Sequence, residues 1–272
     1  MSLKRKVLFV TGASRGIGRA IALRAAQDGA RVVVAAKSRE PHPKLPGTIG
    51  ETVEAVRQAG GEGLACVVDV RDEKLVDAAV GQAVEAFGGI DILVNNAGAI
   101  SLAGSLDTPM KRFDLMHDIN SRGAFLASQR CLPHLLKASN PHILNICPPL
   151  DLAPRWLAPH LAYTMSKYAM SLSVIGLAAE FAEQGVAVNA LWPCTLVGTA
   201  AVQNLLGGDE AMRVSRKPEI MGDAAHAILT RDSRECTGRF FTDEQVLREA
   251  GVTDFEPYSM VQGAKLRPDL YM

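Results

Sequence analysis

Tyr163 and Lys167 stand four residues apart, and on a helix positions i and i+4 share a face. A phenol ionises near ~10 and is a poor base at neutral pH. A neighbouring ammonium favours the phenolate, so Lys167 would let Tyr163 exchange a proton with a carbonyl or alcohol oxygen. A Tyr-x-x-x-Lys pair is common by chance and takes its meaning from what surrounds it. Asn120, in Asp118-Ile-Asn-Ser-Arg122, interrupts a helical pattern with a mediocre helix former. It either faces solvent or bends the helix and holds a water leading to Lys167.

A second chemistry is carried by Thr11 to Gly18: Gly12, Ala13, Ser14, Arg15, Gly16, Ile17 and Gly18 follow a strand-like run and open a helical one. Glycine permits a tight turn and close backbone approach, and a helix N-terminus offers free N–H groups to a pyrophosphate. Dinucleotide sites that take NAD place an acid at the end of the next strand, for the ribose 2′-hydroxyl. Here that strand ends Ala36-Lys37-Ser38-Arg39, and Glu40 is the first acid after it. A 2′-phosphate wants charge-assisted partners, so Lys37 and Arg15 form the expected clamp and NADP(H) the expected cofactor, with NAD(H) as the alternative. Both cations could also be solvated surface charges. Asp69 and Val70 end the third strand, where a carboxylate can reach an adenine amine. Asn95-Asn96-Ala97-Gly98 ends the fourth, with small residues that let the backbone approach a cofactor.

These residues need a frame, and the hydrophobic pattern supplies one. Strands are predicted at 6–10, 31–36, 63–68, 91–94, 142–146, 186–191 and 239–242. Helices are predicted at 19–28, 48–59, 72–87, 108–137, 161–184 and 218–230, the fourth starting with a Thr108 cap and Pro109 at its first position. Alternation of seven strands with helices implies one α/β domain: a Rossmann-like, doubly wound parallel sheet with right-handed crossovers. Residues 37–47, with three prolines, read as a loop, 194–216 as an amphiphilic lid, and 243–272 as a C-terminal extension.

Composition narrows the function classes. The 272 residues carry 29 basic and 29 acidic side chains, a balance that does not suggest nucleic acid or an anionic membrane as partner. Five dispersed cysteines read as reduced thiols, and the six histidines lack metal-ligand spacing, so no metal is expected. The longest uncharged apolar stretch, 168–179, is far short of the ~20 residues that span a bilayer and reads as a buried helix. With no leader recognised, a cytoplasmic location is expected.

Taken in order and spacing, Thr11 to Gly18, Asp69, Asn95 to Gly98, Asn120, Tyr163 and Lys167 resemble the TGxxxGxG, NNAG, N and YxxxK pattern of short-chain dehydrogenases/reductases. The resemblance spans essentially the whole chain. It implies hydride transfer between NADP(H) and a carbonyl/secondary alcohol pair. Tyr163 would be the acid/base, Lys167 would also hold the nicotinamide ribose, and Pro193 would open a segment over cofactor and substrate. Ala35-Ala-Lys37, Pro41 to Lys44, Gly47-Thr-Ile49, His142 to Ile146 with Pro148-Pro-Leu150, and Ala190-Leu-Trp-Pro193 resemble the hydroxysteroid dehydrogenase-like branch. Members of that branch can carry a sterol-carrier domain and a peroxisomal tripeptide. This chain ends Leu270-Tyr-Met272 and is expected to have neither.

One departure bears on activity. The family's substrate-binding serine aligns with Pro148 in Asn145-Ile-Cys147-Pro148. Proline has no donor, and the neighbouring thiol is a weak one, more a packed small residue than a nucleophile. Losing one oxyanion donor elsewhere costs roughly 10²–10³ in rate. The rival reading is therefore an NADP(H)-binding sensor with little turnover. Residues 150–160, with Asp151, Arg155, Trp156 and His160, should line the mouth of the pocket, and the composition of the lid suits an apolar substrate. Ala169, Ser173, Gly176 and Ala179 suit close helix packing, either within the chain or in a homodimer or homotetramer.

Overall fold

The computed structural model describes residues 1–42 and 45–272, so part of the Pro41–Lys44 resemblance lies outside the described residues. Seven parallel strands form one sheet: β1 (Val7–Thr11), β2 (Arg31–Ala36), β3 (Glu62–Val67), β4 (Ile92–Asn95), β5 (His142–Asn145), β6 (Ala187–Trp192) and β7 (Phe240–Thr242). Their order is β3-β2-β1-β4-β5-β6-β7, with Phe9 opposite Val33 on one side and Leu93 on the other. The order reverses between β1 and β4, and ligands of such sheets bind at the carboxyl ends of the strands at that switch.

Helices cover both faces because every other strand residue points each way. Leu8 and Val10 pack with α1 (Gly16–Gln27), α2 (Ile49–Gln58) and α10 (Glu219–Leu229). Val7 and Phe9 pack with α3 (Glu73–Phe87), α5 (Ala124–Leu135) and α7 (Leu161–Glu180). Local signals set several ends: Thr48 and Glu51 make a capping box on α2, and Asp72 accepts from Lys74 N and Leu75 N at the start of α3.

The structure refines the expected elements in four places. Helix α1 begins at Gly16, so Gly16, Ile17 and Gly18 are its first turn. The expected helix over 108–137 is three pieces: α4 (Met110–Met116), a π-helical stretch His117–Gly123, and α5. Pro109, not Thr108, is its N-cap, because the Thr108 hydroxyl donates to Gly104 O at 2.8 Å in the preceding turn. Helix α7 is not buried all round: Leu172, Ile175, Gly176 and Ala179 are exposed. The lid contains two short helices, α8 (Ala200–Leu205) and α9 (Gly208–Arg213). A four-residue helix, α6 (Pro154–Leu157), precedes α7, and α11 (Asp243–Glu249) follows β7. Among the described residues no helix is long and apolar enough to cross a membrane.

Candidate active site

The glycine turn is held by the fourth strand. Thr11 Oγ1 donates to Val94 O at 3.2 Å and accepts from the N–H groups of Asn96 (3.0 Å) and Ala97 (3.1 Å). The Asn96 amide donates to Thr11 O at 3.0 Å and Gly12 O at 3.1 Å. Gly12 has φ +67°, the left-handed region, and a Cβ there would meet Ala97 Cα and Asn96 Nδ2 at 2.9 Å. Ala13 and Ser14 are buried within the turn. Asn95 braces the sheet instead, donating to Ser128 Oγ at 3.0 Å and Asn145 Oδ1 at 2.9 Å.

This turn fits a dinucleotide. Helix α1 starts with no side-chain cap, which leaves first-turn N–H groups for a pyrophosphate. Thr199, the N-cap of the lid helix α8, comes within 3.2 Å of where a Gly16 Cβ would be. Beyond buried Pro193, Thr195 Oγ1 is buried with no partner among the described residues, a polar atom without a mate at the cofactor end of β6.

The two cations of the expected clamp part company. Arg15 donates to Pro46 O (3.0 Å), Ser38 Oγ (2.8 Å) and Gly47 O (2.8 Å), which ties its guanidinium to the loop after β2. Lys37, with a 59% exposed side chain, lies 3.6 Å from Asp69. Asp69 is gripped by Arg71 at 2.6 Å, and that hydrogen bonding holds its carboxyl at about 2, against the opposing effect of burial. Val70 is buried and packs where Gly123 has no side chain.

Tyr163 and Lys167 both lie on the inner face of α7, 5% and 6% exposed. Lys167 Nζ donates to Ile146 O at 2.8 Å and lies 5.3 Å from the centre of the Trp192 ring. Burial pulls its ammonium down to about 8. Asn120 is fully buried and does not face solvent: its amide donates to Ala99 O and Ser166 Oγ, both at 2.9 Å, and its Oδ1 accepts from Ala99 N at 2.7 Å. The π-helical stretch turns this residue inward. A Cβ on Gly98 would lie 3.5 Å from Asn120 Oδ1 and 3.9 Å from Lys167 Nζ, so one small gap brings the two together.

The expected electrostatics of the pair is corrected in one respect. Burial pushes the Tyr163 phenol well above its ordinary value, and neighbouring Tyr271 and Asp269 push the same way. The Lys167 ammonium is turned to the Ile146 carbonyl and does not offset this. At the place of the family's serine, Pro148 offers only a carbonyl, which accepts from Ser171 Oγ at 2.7 Å. Cys147 is fully buried, and burial pushes its thiol up to about 11, the property of a packed residue. Arg155 is exposed beside Asp151 and stacks on Trp156.

A short chain dehydrogenase family model matches residues 6–208. The chain belongs to the short-chain dehydrogenase family. Within that family it is 57% identical over 265 residues to hydroxysteroid dehydrogenase-like protein 2 of Danio rerio, covering 97% of this chain and 63% of that protein. The chain thus spans less than two thirds of that relative. A crystal structure from Xanthomonas campestris is 56% identical, superposes with a TM-score of 0.97, and shares 100% of this chain and 99% of its own. A short chain dehydrogenase from Mycobacterium paratuberculosis, bound to NAD, is 26% identical with a TM-score of 0.75 over 89% of this chain and 97% of its own. The family's cofactor is a nicotinamide dinucleotide, which agrees with the uncapped α1 and the glycine turn.

The sequence did not point to the segment 264–272, which packs against this site. Tyr271 is 5% exposed, and its ring touches those of Trp156, Tyr168 and Trp192. The only cue is an aromatic residue among polar and proline neighbours, which has no helical or strand period to announce burial.

Proposed function

We propose that the protein is an NADP(H)-dependent oxidoreductase that interconverts a carbonyl and a secondary alcohol. The observation that carries this reading is the meeting of Lys167 and Asn120 around Gly98, beside the glycine turn and uncapped helix, with Tyr163 buried on the same helix face as Lys167. A nicotinamide dinucleotide bound there supplies or accepts the hydride. Tyr163 then gives or takes the proton at the substrate oxygen, and Lys167 holds the ribose and passes charge toward Asn120. Leu150, Trp156 and Leu157 are partly buried and pack against the core cluster that includes Tyr163, which favours an apolar substrate. Pro148 favours a second reading, a cofactor-binding sensor with little turnover. A panel of ketones, aldehydes and secondary alcohols with NADPH or NADP separates the two: tight cofactor binding without turnover of any member selects the sensor.

Lys37, beyond Ala36 where an NAD site would carry an acid, supports NADP(H) over NAD(H). Lys37→Ala should weaken NADPH binding about tenfold and leave NADH unchanged. Equal losses for both, measured by nucleotide fluorescence titration, would remove the clamp.

A homo-oligomer is proposed through α5 and α7. Phe125 (54% exposed), Leu136 (45%), Leu172 (60%) and Ile175 (48%) form an apolar face along these helices, and a Cβ on Gly176 would meet nothing within 4 Å. Ile175→Glu should sediment as a monomer where the unsubstituted chain sediments as a dimer or tetramer. A monomer in both cases sinks the interface. All five cysteines are free thiols, which fits a reducing compartment such as the cytoplasm.

A further inference from the structure

The segment 264–272 forms a strap across the site. Leu196 N donates to Arg267 O at 3.0 Å and Asp269 N to Cys194 O at 3.1 Å, so the strap runs beside the chain that leaves β6. Arg267 N donates to Val214 O at 3.0 Å, and its guanidinium donates to Leu206 O at 3.0 Å. One residue therefore fixes the lid after α8 and after α9. Trp192 Nε1 donates to Leu270 O at 2.8 Å.

Tyr271 is the anchor of this strap. Its ring centre lies 5.8 Å from Trp156, 5.6 Å from Tyr168 and 5.9 Å from Trp192, and its hydroxyl is 3.0 Å from Thr164 Oγ1. Those partners come from α6, α7 and the end of β6, the three elements that form the substrate side of the site. Thr164 follows Tyr163 directly, and Trp192 lies under Lys167.

Asp269 is partly buried between these anchors. The charges that act on it are those of Lys167 from α7, Arg267 from the strap and Asp243 from the start of α11, and it acts in turn on Tyr163 and Tyr271. Asp243 and Asp269 flank the same residue, because Asp243 Oδ1 accepts from Cys194 N at 2.9 Å and Asp269 N donates to Cys194 O. Burial pushes the Asp269 carboxyl up to about 7, within reach of the Lys167 ammonium at about 8.

We propose that Tyr271 and Asp269 are positioning residues of the reaction: Tyr271 locks the strap into its aromatic cage, and Asp269 is the carboxyl by which the strap sets the charge of Tyr163 and Lys167. This rests on the reading of Tyr163 as the acid/base. A carboxylate stabilises a neighbouring ammonium and opposes a neighbouring phenolate. Removing its charge therefore favours the neutral amine of Lys167 and the phenolate of Tyr163, lowering the pH at which each gives up its proton.

The decisive measurement is a ¹³C-lysine NMR titration of Lys167, its signal identified by its loss in Lys167→Met. In Asp269→Asn the Lys167 midpoint should fall by about one pH unit, and the alkaline limb of the rate profile should move the same way. In Tyr271→Ala, kcat should drop by about 10²-fold with NADPH affinity kept, while Tyr271→Phe, which keeps the ring, should stay within about fivefold. An unmoved Lys167 midpoint in Asp269→Asn overturns the charge role, and full activity in Tyr271→Ala overturns the anchor. If the unsubstituted chain turns over nothing, the titration still decides the strap, and only the proposed reaction is lost.

Discussion

Tyr163→Phe is expected to lower turnover by about 10²–10⁴-fold, the usual contribution of one general acid/base. The substitution removes one oxygen atom and little else. Among the described residues the Tyr163 hydroxyl has no hydrogen-bond partner, so its loss leaves no buried group unsatisfied and should leave the melting temperature within a degree or two. The ring stays, and with it the packing against the neighbouring core. NADPH affinity should be kept, because Lys167 and the glycine turn are untouched. This separation of rate from binding and stability is what marks a proton donor, and steady-state rates with the best substrate of the panel test it. Turnover undiminished in Tyr163→Phe would leave the proton without a carrier and end the proposed mechanism.

The pH dependence follows from the same site. The Lys167 ammonium, pulled down to about 8 by burial, loses its charge as the pH rises through that value. If that charge holds the ribose, NADPH affinity should weaken above pH 8, most clearly in titrations between pH 7 and 9. An ordinary surface lysine stays charged throughout this range and would give no such weakening.

Much of the site was legible because its parts are local in sequence. A glycine triplet between strand and helix, an Asn-Asn-Ala-Gly at a strand end and a Tyr-x-x-x-Lys pair each announce themselves within eight residues. The β-strands were legible for a related reason: strands buried on both faces are continuous apolar runs, as in Val7–Val10 and Val32–Ala35. Asn120 was half legible. Its poor helix propensity marked the break, but only the π-helical stretch turns its side chain onto Ala99 and Ser166. What stayed hidden is non-local. The phenol of Tyr163 is raised first by burial and then by Tyr271 and Asp269, more than a hundred residues away. Arg15 stands in the turn, but its guanidinium goes to carbonyls of a loop some thirty residues on, in competition with any phosphate. Spacing rules describe neighbours along the chain, and these contacts are made only when the sheet is assembled.

Gly18→Ala should weaken NADPH binding by about 10–100-fold, the effect of roughly 1–3 kcal/mol of overpacking. The new methyl would stand 2.5 Å from Asn96 Nδ2, 2.7 Å from Gly12 O and 3.0 Å from Ala13 Cα. Two of these are backbone atoms of the phosphate turn, and the third is the amide that holds that turn in place. The Asn96 amide is pinned by its two hydrogen bonds and the other two atoms are backbone, so relief must come from moving the turn or the first residues of α1, the groups that would meet the pyrophosphate. Gly81→Ala is the matched control: Gly81 lies in α3, where a Cβ meets nothing within 4 Å, and the same change should raise stability by about 0.5–1 kcal/mol without touching affinity. Fluorescence titration with NADPH and thermal melts of both variants separate cofactor binding from folding. Undiminished affinity in Gly18→Ala would mean that the glycine turn is not where the dinucleotide sits, and the fit between this turn and its cofactor would have to be abandoned.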